Sequence, residues 1–197
     1  MEVEGDKTER SKKERVIKAA IKLFSKQGYH DTTVSEIAHE AEVAKGTVYW
    51  YFDSKEQLFW GIIFSGIESL NKKLKEEVAK EEKSVSNKLE TIVRLYLKFF
   101  KDSKEVSKMM QESSVSPSEY FYSEMKNLRS AAIEELAKII AKGQEDGVFK
   151  DDINAQETAN FILGSIMGGY NPHVYELEDI EERVDFVLEI LCSGINK

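Results

Sequence analysis

Residues 45–55 form an unusual combination for a solvated surface: Tyr49, Trp50 and Tyr51 stand in succession, with Lys45 and Thr47 before them and Lys55 after. Large rings left in water favour association unless they form a binding surface. The rings and the Thr47 methyl can pack on thymine methyls, tyrosine and threonine hydroxyls can reach phosphates, and Lys45 can reach a guanine edge or a phosphate. Three consecutive helical positions span about 200°, so all three rings cannot face a core together. Tyr51 is the readiest of them to be half-buried. The chemistry these residues suit is contact with a DNA groove.

Such residues need a scaffold, and the neighbouring sequence supplies one. Ala44–Phe52 reads as a short helix with Val48 and Phe52 on one face and Lys45, Thr47, Tyr49 and Trp50 elsewhere. A helix this short cannot stand alone and must be carried by its neighbours, as the second helix of a helix-turn-helix is. Upstream, Met1–Arg10 reads as a loose polar arm carrying Lys7 and Arg10. Ser11 with Glu14 makes a capping box for a helix through Val16, Ala19, Ala20, Leu23 and Phe24, stopped by Gly28. Thr33 with Glu36 makes a second box before Val34, Ile37, Ala38 and Ala41, and Glu42-Val43 forms a tight break.

Downstream, Ser54 and Gln57 cap a long helix reaching about residue 80, apolar at Leu58, Phe59, Ile62, Ile63, Ile67, Leu70, Leu74 and Val78. Its second half is charged, and with Ser84–Asn87 this marks a domain boundary. Further helices are expected at 87–102, 104–112, 118–144, 155–171 and 179–194. The fold expected is all-α with about nine helices: an arm and helix-turn-helix over residues 1–53, a connecting helix over 54–80, and a larger helical bundle over 81–197.

Composition narrows the class. The net charge of −8 opposes nucleic-acid binding at first sight, but residues 7–52 hold nine Lys/Arg against six Asp/Glu, about +3, leaving about −11 elsewhere. The positive excess is confined to one end. No run reaches the roughly 20 apolar residues of a membrane span and the N-terminus lacks a signal-peptide core, so a cytoplasmic protein without membrane association is expected. His30, His39 and His173 are too scattered for a metal signature, and no phosphate-binding glycine loop or nucleophile motif occurs. Neither an enzyme nor a metal or cofactor site is therefore expected. The single Cys192 sits in an apolar helical row, as a small buried hydrophobe would. A general architectural DNA-binding protein would spread basic charge over the chain, which this one does not.

The run RVIKAAIKLFSKQGYHDTTVSEIAHEAEVAKGTVYWYFDSKEQLF resembles the DNA-binding signature of the tetracycline-repressor (TetR) family almost end to end. The shared spacing runs from Phe24 through Gly28-Tyr29, Thr32-Thr33, Ile37-Ala38 and Gly46-Thr47 to Tyr49, Phe52 and Lys55. The resemblance implies that Lys45, Gly46, Thr47, Tyr49, Trp50, Tyr51 and Lys55 touch an operator and that Thr33 sits at a phosphate-contacting helix start. Free N–H groups at a helix start suit a phosphate, and glycine lets backbone approach DNA. The family usually has glycine in the turn where this chain has Glu42. If the turn keeps its left-handed conformation, Glu42 is strained.

The resemblance also implies that the C-terminal part dimerises and holds a small-molecule inducer, and that the whole is a ligand-responsive regulator, a repressor of transcription. Gly164 and Gly168 lie one turn apart and permit close approach of another helix, and the helix 179–194 is amphipathic, so Gly164, Gly168, Val184 and Leu188 are candidates for a homodimer interface. Two readers about 34–36 Å apart would read a palindrome. Candidates for lining an inducer pocket are Trp60, Phe64, Tyr96, Phe99, Phe100, Met109, Phe121, Met125 and Phe161, a mix suited to a hydrophobic or aromatic molecule.

Overall fold

The computed structural model describes residues 2–103, 118–168 and 179–196. Eight helices form among them: α1 (Glu2–Gln27), α2 (Val34–Glu40), α3 (Lys45–Tyr51), α4 (Lys55–Val78), α5 (Val85–Asp102), α6 (Glu119–Glu145), α7 (Ala155–Gly168) and α8 (Ile180–Ile195). No strand occurs among the described residues, and one isolated bridge joins Phe149 to Asn196. The expected helix 104–112 lies outside the described residues, as does Met109.

The helix starts follow local chemistry. Thr33 forms the full capping box with Glu36 at α2. Ser54 accepts from the Gln57 N–H at 3.0 Å while the Gln57 side chain accepts from the Asp53 N–H at 3.1 Å. Ser84 caps α5 through the Asn87 N–H, and Asp179 caps α8. The N-terminal end corrects the expectation. Residues 2–10 continue α1 rather than forming a loose arm, and Ser11 lies inside the helix instead of capping it. Extending an existing helix requires no new nucleus, and no proline interrupts this stretch.

The described residues fall into two compact units, one of 2–66 with 118–121 and the other of 67–103 with 122–168 and 179–196. In the first, α1 packs on α2 and α3, and α2 packs on α3. Its core holds Val16, Ala20, Phe24, Ile37, Ala38, Val48, Phe52, Leu58 and Phe59. Phe24, Tyr29 and Phe59 meet pairwise with ring centroids 5.2–5.8 Å apart. Each such buried ring or aliphatic side chain contributes about 1.5–3 kcal/mol, more than a seven-residue helix could supply from its own hydrogen bonds.

In the second unit α5 packs against α7 and α8 around Leu89, Ile92, Val93, Leu136, Ile140, Ile162 and Val184. Arg94 on α5 ties α8 through a forked contact to Glu181, at 2.6 Å from Nη2 and 3.0 Å from Nε, and also meets Glu90. These bonds hold the Glu181 carboxyl below the usual range and push the Arg94 guanidinium higher still. Gly143 is required by packing: a Cβ there would come 2.1 Å from the buried Phe149 ring.

Candidate nucleic-acid interface

The short helix α3 divides its side chains sharply. Val48 is 1% exposed and Phe52, its C-cap, 8%, whereas Tyr49 is 45% and Trp50 67% exposed. Lys45 and Gly46 are exposed and Thr47 is half-buried. Tyr51 is also half-buried, its ring edge-on to Trp50 at 4.7 Å. The Lys45 ammonium reaches 6.0 Å from the Tyr49 ring centroid, the outer limit of a cation–π contact. The surface thus presents two rings and a cation on a helix whose opposite side is locked into the core.

Two backbone features belong to this surface. A Cβ built on Gly46 meets nothing within 4 Å, so nothing inside the protein requires glycine there. Glycine costs helix stability relative to alanine, and no packing contact of this chain compensates for it here. The N-cap of α3, Ala44, makes no side-chain cap bond, and its carbonyl accepts from the Thr47 N–H at 2.8 Å. The turn before it carries Glu42 at φ 52°, the only non-glycine in the left-handed region among the described residues. Arg15 stands against it, 3.6 Å from the carboxylate and 3.5 Å from the Glu42 carbonyl oxygen.

Thr33 and Lys55 are placed differently from the other expected contacts. The Thr33 hydroxyl donates to the Glu36 carboxylate at 2.7 Å, the Thr33 N–H donates to the same oxygen at 2.7 Å, and these bonds hold the Glu36 carboxyl below its ordinary range. A phosphate at this helix start would have to displace Glu36. Lys55 turns inward: its ammonium donates to the carbonyls of Tyr29 at 2.7 Å, Thr32 at 2.8 Å and His30 at 3.4 Å, and lies 4.2 Å from the Tyr29 ring centroid. In this geometry Lys55 does not stand ready to touch an operator as the resemblance implied, because three donors are all an ammonium has and each meets a carbonyl. Lys55 fastens the α1–α2 loop to the start of α4. Thr32 supports the same loop, fully buried and donating to the Gly28 carbonyl at 2.7 Å.

The candidate pocket residues divide between the two units. Trp60, Phe64 and Phe121 meet in the first unit, with Trp60 and Phe121 4.4 Å apart and Phe64 and Phe121 5.9 Å apart. Tyr120 joins them at 5.8 Å from Phe64, a contact that helical spacing gave no sign of. Tyr96 belongs to the core of the second unit, with Phe99 and Phe100 packed against it. Burial pushes the Tyr96 phenol up to about 12, the Arg129 charge acting in the opposite direction. Met125 is half-buried on α6. Phe161 is 67% exposed on α7, so it is a surface residue and not a wall of an internal pocket.

The interface candidates lie on α7 and α8. Val184 is fully buried within its own chain and is corrected to a core residue. Leu188 is half-buried against that core, a Cβ added at Gly164 would meet Arg129 Nη2 of its own chain at 3.6 Å, and Gly168 closes α7. The apolar side chains left outward are Phe161, Phe186 and Ile190. Phe161 and Ile190 border one shallow cavity of about 460 Å³ with Asp152, Asn154, Thr158 and Gly194.

Residues 16–60 match the family described as bacterial regulatory proteins, tetR family, and residues 86–170 match the tetracyclin repressor-like C-terminal domain. The chain belongs to the TetR family. It is a DNA-binding transcriptional regulator of the helix-turn-helix class. Among its relatives are the fatty acid metabolism regulator protein of Bacillus subtilis, 24% identical over 96% of this chain and 98% of that one, and the transcriptional repressor NicS of Pseudomonas putida, 26% identical over 94% and 92%. The fold matches that of FadR from Bacillus halodurans, with a TM-score of 0.77 at 23% identity over 93% of this chain and 95% of that one. It also matches FadR from Bacillus subtilis in complex with stearoyl-CoA, with a TM-score of 0.74 at 24% identity over 92% and 98%. These TetR relatives are regulators and not enzymes. No described helix is long and apolar enough to cross a membrane.

Proposed function

We propose that this TetR-family protein is a dimeric repressor that holds a palindromic operator through two copies of α3 and is released by a small apolar effector. The observation that carries the reading is the division of α3: Val48 and Phe52 anchor it, while Lys45, Thr47, Tyr49 and Trp50 are left to meet base edges and phosphates. One helix of seven residues reads too few base pairs for a discrete site, and a second copy doubles the reading. The outward Phe161, Phe186 and Ile190 supply the surface that a second copy would cover, since exposed rings of this size are otherwise a liability.

The effector acts by preferring one of two arrangements of the dimer, and its leverage equals its differential affinity for them. The stearoyl-CoA complex of Bacillus subtilis FadR makes long-chain acyl thioesters the first compounds to try. Selection of sites from a random DNA pool, followed by footprinting, tests the repressor reading. A discrete palindrome supports it, and uniform coating of DNA overturns it. Ile190→Asp should shift sedimentation to the monomer and weaken operator binding together; a wild-type monomer at micromolar concentration would refute the dimer.

A further inference from the structure

The cavity of about 460 Å³ that α7 and α8 line has room for a phenyl ring, since benzene fills a cavity of about 150 Å³. Of its lining residues, Ile162 and Leu191 are buried, while Phe161 and Ile190 are exposed. Asp152 and Glu157 add two carboxylates to its border. Lys150 stands beside it, its ammonium donating to the carbonyl of the lining residue Gly194 at 2.7 Å. The border is therefore acidic in sum. α8 itself carries a side chain of the complementary kind. Phe186, 51% exposed, lies one turn before Ile190, and Gly194 lies one turn after it, so the three run along one side of the helix. Arg183 is the one cation of α8 against four carboxylates, and it lies over the Phe186 ring, 5.1 Å from the centroid.

Resting on the reading of this protein as a dimer, we propose that the two-fold axis passes at Ile190 and that each copy seats its Phe186 ring in the other copy's α7–α8 cavity, bringing Arg183 to the border at Asp152 and Glu157. In a two-fold pair, a residue i that meets j is matched by j meeting i. Antiparallel α8 helices that cross at Ile190 set Phe186 of each copy against Gly194 of the other, beside the cavity that Ile190 and Gly194 line. The ring meets apolar walls and the guanidinium meets carboxylates, and both contacts occur twice. Like charges opposed across an interface cost affinity, so the cation over Phe186 is what suits this acidic border to a second copy of the same chain. A Cβ built on Gly194 meets nothing within 4 Å in its own chain, so a larger side chain there would take the space of the incoming ring.

Sedimentation of the full-length protein at micromolar concentration and low salt tests this. Phe186→Ala should weaken self-association by about a hundredfold or more, because each dimer loses two seated rings. Gly194→Leu should weaken it as well, with the helix content by circular dichroism unchanged. Arg183→Glu should associate poorly alone, and so should the double variant Asp152→Lys with Glu157→Lys, since each sets like charges together at both sites. Mixed, the two should form a heterodimer, because each of its two sites then joins unlike charges. Self-association of Phe186→Ala and Gly194→Leu equal to wild type, or a mixture no more associated than its components, overturns the inference and leaves the dimer reading standing. A wild-type protein that sediments as a monomer overturns both.

Discussion

Replacing Glu42 with glycine and with alanine separates backbone strain from charge at the turn between α2 and α3. Glu42 sits at φ 52°, where a residue with a Cβ is strained by about 1–2 kcal/mol. Glycine removes that strain but gains about 0.4–1 kcal/mol of freedom in the unfolded chain. It also loses the Arg15 contact at 3.6 Å, which joins exposed groups and is worth a few tenths of a kcal/mol. The net expectation for Glu42→Gly is a gain of about 0.5 kcal/mol, or about 1–2 °C in melting temperature for a chain of this size. Alanine also loses the Arg15 contact but keeps the strain, so the glycine variant should melt about 2–4 °C above the alanine variant. Calorimetric melting of the three proteins at one concentration measures this. Operator affinity of the glycine variant should not fall, since a negative charge near DNA is removed. An alanine variant that melts at or above the glycine variant would refute the strain argument.

Tyr49→Ala should weaken operator binding by about 1–3 kcal/mol with the melting temperature unchanged, whereas Phe52→Ala should cost about 3–5 kcal/mol of stability because its ring is buried. Lys45→Gln should lower the slope of log affinity against log salt by about 1. Lys55→Gln should lower stability and leave that slope unchanged, because its ammonium is bound to loop carbonyls; a reduced slope would restore it to the DNA surface. Glu77 is 3% exposed; burial alone would raise its carboxyl, but hydrogen bonds from Lys80 and Lys83 outweigh burial and hold it below the usual range. Its stabilising effect is therefore complete above the ordinary carboxylate range and lost as pH falls through the lower folded value. Glu77→Gln should cost roughly 1–2 kcal/mol at pH 7, with the difference from wild type closing in acid, as urea titrations at several pH values would show.

How much of this was legible depended on how local the cause was. The pairs Thr33–Glu36 and Ser54–Gln57 act within one turn, and both were readable as helix starts. Ser11–Glu14 has the same pattern but caps nothing, since a cap is needed only where the chain enters a helix and α1 has already begun. The split of α3 was readable because Val48 and Phe52 are one turn apart on a short helix. On α8, Val184 and Leu191 face the chain's own core while Phe186 and Ile190 face outward, and apolar spacing cannot tell these faces apart. Lys55 reads as a cation at a helix start, but its partners are carbonyls 23–26 residues earlier, which no local pattern reveals.

Gly46 has a consequence for how this protein could change. A methyl group fits there without touching anything in the chain, and alanine would favour α3 by up to about 1 kcal/mol. Any search for thermal stability alone would therefore be drawn to Gly46→Ala, and would gain a sturdier fold while crowding the surface that α3 offers to DNA. Stability and recognition pull in opposite directions at this one position. At Glu42, four residues earlier, they pull together.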